Sequence, residues 1–121
     1  MTRTNGKTNP RLLTLITRLK ETSRKNDAGI WSDIADRLEA PSRNYAEVNV
    51  SKISRYARPG ETFIVPGKVL GTGIITQPVV IAALNFSAGA TQKIEKAEGT
   101  CLSIEELLKK NPKGNGVRIL R

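Results

Sequence analysis

The sequence contains no histidine and a single cysteine, Cys101. Without histidine there is no base for Ser-His-Asp or Cys-His catalysis. Zinc centres built from cysteine and histidine need several such ligands and are excluded as well. A lone thiol rules out an internal disulfide and fits a reducing compartment. Aromatics are scarce, at 4%. Modules that read single strands stack bases on exposed aromatic rings, and this chain has little to offer them. No apolar run approaches membrane-spanning length, and the basic start leads into no signal-like apolar segment, so no membrane association is expected. Acid is also short: 11 Asp and Glu stand against 20 Lys and Arg, a net charge of +9 in 121 residues. Such an imbalance implies a polyanionic partner.

What is present fits one domain able to bury a core of its own. Residues 1–9 are polar, lack apolar anchors and read as a flexible basic tail. Asn9-Pro10 marks a helix start, with asparagine as cap and proline at the first helical position. Leu12, Leu15, Ile16 and Leu19 follow at helical spacing, to about Arg24. Arg11, Arg18 and Lys25 recur every seven residues along another edge of this helix. Residues 1–25 hold seven basic side chains and one acid, six of the nine net positive charges. A second helix is expected over 28–39, with Asp27 as a possible cap. Trp31, Ile34, Ala35 and Leu38 form its apolar face, opposite Asp33, Asp36 and Glu39.

Beyond Pro41 the pattern changes. Residues 47–51 alternate as in a strand, and 52–55 form a short helical turn or loop. Phe63-Ile64-Val65 reads as a buried strand, with a shorter one at Val69-Leu70. The apolar run 78–86, PVVIAALNF, is the expected central strand. Ser87 opens a helix that Gly99 stops. Ser103 and Glu106 form a capping box for a helix ending near Lys110, and a last strand follows at 117–120. This order predicts a single α/β domain over residues 10–121.

The stretch VPGKVLGTG, residues 65–73, resembles a phosphate-binding loop at first sight. The resemblance fails in detail. Val69 follows Gly67-Lys68 where Ser or Thr is required, and Thr62 stands where the first glycine should be. The dinucleotide fingerprint fails at Thr76. The glycines are expected to permit tight turns between short strands. Lys68 remains available to a phosphate.

VPGKVLGTG, then PVVIAALNFS and KIEKA, resemble the signature of the archaeal and eukaryotic large-subunit ribosomal protein family eighteen-e, related to the protein fifteen family. Asn9-Pro10-Arg11-Leu12, Trp31 with Ile34-Ala35 and Leu38, residues 48–53 and the closing NPKG and GVRI motifs agree. The resemblance implies a cytoplasmic, ribosome-bound protein with no enzymatic activity, cofactor or small-molecule substrate. Its partners would be large-subunit ribosomal RNA and neighbouring ribosomal proteins. The implied fold is N-terminal helices followed by an irregular β-β-α superhelix-like arrangement with a small mixed sheet.

Phosphate and ribose contacts on folded RNA are the expected mode. Arg3 and Lys7 would contribute from the tail, and Arg11, Arg18, Arg24 and Lys25 from the first helix. Arg43, Lys52, Arg55, Lys68, Lys113 and Arg118 would contribute from the globular body. Tyr56, between Arg55 and Arg58, is the one candidate for base stacking. Lys109 and Lys110 are explained by the C-terminal end of their helix. An extra-ribosomal RNA- or DNA-binding regulator is the alternative. It lacks a helix-turn-helix signature, but charge alone does not separate the two.

Overall fold

Asn9 caps the first helix as its sequence suggests: its Oδ1 accepts the Arg11 backbone N–H at 2.9 Å, and Pro10 opens α1, Pro10–Asn26. The computed structural model describes residues 9–58 and 61–121, so the expected tail, Asn9 apart, lies outside the described residues. α1 ends at Asp27, which takes a left-handed conformation (φ 50°) and returns its N–H to the Ser23 carbonyl. Asp27 therefore closes α1 and does not open α2, as had been expected. α2, Gly29–Glu39, begins after Ala28 with no side-chain cap. Docking compensates: Trp31 is fully buried and its Nε1 donates to the Pro112 carbonyl at 2.8 Å.

A 3-10 turn at Ser42–Asn44 leads into β1, Ala46–Asn49, and α3, Val50–Tyr56. The remaining order is β2 Thr62–Leu70, β3 Val80–Phe86, α4 Ala88–Lys96, β4 Thr100–Ser103, α5 Ile104–Lys110 and β5 Val117–Ile119. The sheet runs β1-β2-β3-β4, with β5 also paired to β2. All four pairings are parallel, so the small sheet is parallel where a mixed one was expected. β3 pairs along most of one edge of β2. β5 pairs with Thr62–Ile64 and β1 with Gly67–Leu70, so these two share the opposite edge end to end.

The handover falls at Pro66-Gly67. The β2–β3 register slips between Val65 and Lys68, and a proline without an N–H is tolerated inside a sheet at such an irregularity. Residues 62–70 are therefore one strand, where two short strands flanking a glycine turn were expected. Gly67 is required by close approach: a Cβ there would lie 2.0 Å from the Ala46 carbonyl oxygen.

The sheet separates two apolar cores. Leu15, Leu19, Trp31, Ile34, Leu38, Ile64, Ala82 and Ile104 pack beneath α1, α2 and α5. Val50, Ile53, Phe63, Val65, Val69, Ile81, Ala83 and Ile94 pack beneath α3 and α4. Alternation along β2 and β3 sends neighbouring side chains to opposite faces.

The β2–β3 connection, residues 71–79, is unusual because parallel strands are ordinarily joined through a helix. Here it is an extended strap, closed by Ile75 and Val79 against the α3/α4 core. Lys93 Nζ donates to the carbonyls of Gly71 and Gly73 at 2.5 and 2.6 Å. Thr72 bonds Asn49 and Ser51, and the Gln77 amide donates to the Ser54 carbonyl. Gly73 has φ 102° and rests against Ser51, so a side chain there would be strained and would clash.

Ser87 caps α4 by accepting from Ala90 at 3.1 Å. The helix stops at Lys96, ahead of the expected Gly99. Glu98 takes the left-handed position (φ 65°), while Glu98 and Gly99 bond back to Glu95 and Ile94, a Schellman closure. β4, absent from the sequence-based expectation, runs directly into the Ser103–Glu106 capping box, which forms in full.

Candidate nucleic-acid interface

An open groove of about 750 Å³ lies between the start of α1, the 3-10 turn and the ends of β2 and β3. Its floor is apolar: Leu12, Tyr45 and Leu84 line it and also pack against the α1/α2/α5 core. Three cations line it, Arg11, Arg43 and Lys68, from positions far apart in sequence. Neutral hydrogen-bonding groups join them from Asn9, Ser42 and Asn85. Ligands of open parallel sheets gather outside the carboxyl ends of strands, and Lys68 and Asn85 sit near those ends of β2 and β3, paired in register.

Each cation is placed by its local structure. Asn9 and Pro10 fix the first turn of α1 and with it Arg11. The 3-10 turn holds Arg43 outward; its end is tied down by Tyr45, whose Oη donates to the Leu38 carbonyl at 2.6 Å. Lys68 lies between buried Gly67 and Val69 on a strand, so alternation turns it out of the α3/α4 core. The side chains of Lys68 and Arg43 make no hydrogen bond or ion pair with another described residue. One carboxylate, Glu47, also lines the groove, beside Lys68 in register.

Arg11 is already engaged. Its Nε donates to Glu105 at 2.8 Å and its Nη2 at 3.2 Å, a two-point contact between α1 and α5. The hydrogen bond from Arg11 holds the Glu105 carboxyl below its usual range, against a partial burial that raises it, and the nearby Arg18 charge adds to the lowering. The same hydrogen bond raises the Arg11 guanidinium. The neighbouring Glu106 is also lowered, first by the Ser103 backbone N–H and then by its hydroxyl.

The other candidate residues divide three ways. Arg18, Arg24 and Lys25 are exposed along α1, and Arg55 and Lys113 are exposed elsewhere. The side chains of these five make no hydrogen bond or ion pair with another described residue. Arg118 is paired with Glu61 at 3.4 Å, and Lys52 Nζ donates to the backbone oxygen of Arg121. Arg3 and Lys7 lie outside the described residues. The groove thus unites only three of the twelve candidates, while Arg18, Arg24 and Lys25 continue away from it along α1.

Sequence reasoning missed Asn85 and Ser42 in the groove. Asn85 carried a usable signal, a polar residue closing the most apolar strand. It also missed Lys93, whose acceptors are carbonyls twenty or more residues away. No group of three or more metal-ligating side chains occurs among the described residues. Burial pushes the Cys101 thiol up to about 11, leaving it protonated at neutral pH and unsuited to nucleophilic chemistry.

Fold and groove together define a small, basic α/β scaffold with an open, cationic groove. The family described as ribosomal protein 60S L18 and 50S L18e matches residues 1–121. A protein of Methanoregula boonei named large ribosomal subunit protein eL18 is 69% identical, with all of both chains covered. Proteins of the same name from Archaeoglobus fulgidus and Haloarcula marismortui are 58% and 47% identical, covering 94% and 96% of this chain and 97% and 99% of their own. The chain belongs to this family of large-subunit ribosomal proteins, which are structural proteins and not enzymes.

Proposed function

We propose that this protein is a structural constituent of the large ribosomal subunit that braces folded ribosomal RNA, its basic groove receiving the phosphate backbone. It would act in the ribosome, in the cytoplasm, beside other ribosomal proteins. The observation that carries the reading is the convergence of Arg11, Arg43 and Lys68 on one groove, two of them without a protein partner among the described residues. Arginine can bridge two phosphate oxygens, and lysine adds a point charge. Asn9, Ser42 and Asn85 supply neutral groups suited to ribose hydroxyls.

The α1 cations extend the track. Arg11, Arg18 and Lys25 are spaced by about 10 Å per seven residues along the helix axis, so α1 can follow a backbone that leaves the groove. Arg24, Arg55, Lys113, Lys52 and Arg118 are further contacts. The last two must share their charge with existing protein partners. Arg3 and Lys7 would order on RNA, as basic extensions do. Aromatic stacking has a small part: among the five aromatic residues, Tyr56 is the exposed one, at 41%.

Salt titration of binding to large-subunit ribosomal RNA tests the reading. If about six to ten phosphates are engaged, affinity falls roughly 10³–10⁵-fold between 50 and 200 mM salt. Arg43→Ala and Lys68→Ala should each lower the slope of log K against log salt by about one. A slope untouched by both substitutions removes the groove from the RNA interface. Recovery of the native protein only in ribosome-free fractions would favour the regulator instead.

A further inference from the structure

On the far side of the sheet the strap carries an isoleucine that the fold leaves outside. Ile74 is 76% exposed, against 42% for Leu13 and 41% for Tyr56, the other large exposed apolar side chains described. A scattered surface isoleucine needs no explanation. This one is held out by design of the strap. Its neighbour Ile75 is buried, Lys93 clamps the carbonyls of Gly71 and Gly73 immediately before it, and Gln77 ties the chain after it to Ser54. Ile74 borders a shallow hollow of about 380 Å³, lined also by Ile75, Thr76, Ala97, Lys93 and Lys96.

We propose that this hollow is the docking site for a neighbouring protein of the large subunit, through a segment that offers an aliphatic or aromatic side chain beside a carboxylate. The apolar side chain would fill the hollow against Ile74, Ile75 and Ala97, and the carboxylate would meet Lys96. Three observations favour protein over RNA. The hollow's lining is mainly apolar, from Ile74, Ile75 and Ala97, with two lysines beside it, the anatomy of protein interfaces. Of its two lysines, Lys93 already gives its ammonium to two backbone carbonyls, while the Lys96 side chain bonds no other described residue. The strap packs against the α3/α4 core, across the sheet from the groove, so RNA held in the groove leaves it open, and Lys52 and Arg55, the RNA candidates on α3, do not line the hollow. The strap's hydrogen bonds fix Ile74 before any partner arrives, which lowers the ordering cost of docking.

The proposal rests on large-subunit membership and not on the groove, whose own failure would show separately in the salt slope with free RNA. The full-length chain carrying p-benzoylphenylalanine at position 74 is assembled into large subunits and irradiated. The expected result is a crosslink to one ribosomal protein, mapping to an acid-containing peptide, with a yield that drops roughly tenfold on Lys96→Glu. A crosslink to ribosomal RNA, or assembled subunits free of any adduct, overturns the proposal.

Discussion

Two pairs of basic residues, one on each face of the sheet, are used differently. On α3 and α4, Lys52 and Lys93 point at backbone oxygens and act as clamps. Beside α1, Arg43 and Lys68 reach into an open groove and find no acceptor in the described protein. Both sets contribute equally to the net charge. A basic residue is most available to a polyanion where the fold has left it without an acceptor, and the +9 total does not show which residues those are.

The largest effect should come from the strand beneath both faces. Gly67→Ala puts a Cβ into the Ala46 backbone, which cannot move without breaking the β1–β2 pairing. Overpacking of this kind costs about 3 kcal/mol, and chemical denaturation should show it. A variant as stable as the parent would mean that β1 does not sit against β2 as described.

A pair of substitutions separates the faces directly. Lys93→Met removes two charge-assisted hydrogen bonds from the strap and should cost about 1–2 kcal/mol, moderated because water can reach the carbonyls. Its affinity for RNA should stay within about twofold of the parent at fixed salt, since Lys93 adds little to the groove's field at that distance. Lys68→Met should do the reverse, leaving stability within about 0.5 kcal/mol while weakening RNA binding. Matching losses in both variants, by melting and by filter binding, would dissolve the distinction between clamp and contact.

The smallest effect concerns Arg11, which lies between the two behaviours. Glu105→Gln weakens a solvent-exposed ion pair and should cost less than about 1 kcal/mol at neutral pH. It should also release Arg11 to the groove and raise RNA affinity roughly two- to fivefold. The pH dependence has a definite sign. The Glu105 carboxyl titrates below its unfolded value, so its stabilisation is complete above the ordinary glutamate range, about 4.3. It is lost as pH falls through the lowered value. Parent and variant should therefore converge in stability in acid. A difference that persists below that range would mean that the carboxylate charge is not what holds Arg11.

Much of the architecture was legible because local signals agreed with one another. The Asn9-Pro10 start, the apolar face of α2 with Trp31, the Ser87 cap and the Ser103–Glu106 box each stand as read. The misreadings have a common origin. Asp27 and Glu98 adopt left-handed backbone conformations at helix ends, a position where glycine is the usual signal. β4 is too short to show alternation and merges with a helix cap. Pro66-Gly67 looks like a turn because proline and glycine usually make one, yet here they mark the point where one strand changes its edge partner.

The sequence alone determined the α/β class, the helix starts, the apolar faces and the excess of positive charge, because each depends on neighbours within a turn of helix or a few strand residues. Through its motifs it also pointed to the family. Tertiary structure decided which cations remain unpartnered, and it brought Arg11, Arg43 and Lys68 to one groove while binding Lys93 to a strap. The physical reason is that a charged side chain's availability depends on acceptors supplied by distant segments. Arg11 meets Glu105 across 94 positions, and no local pattern encodes that meeting.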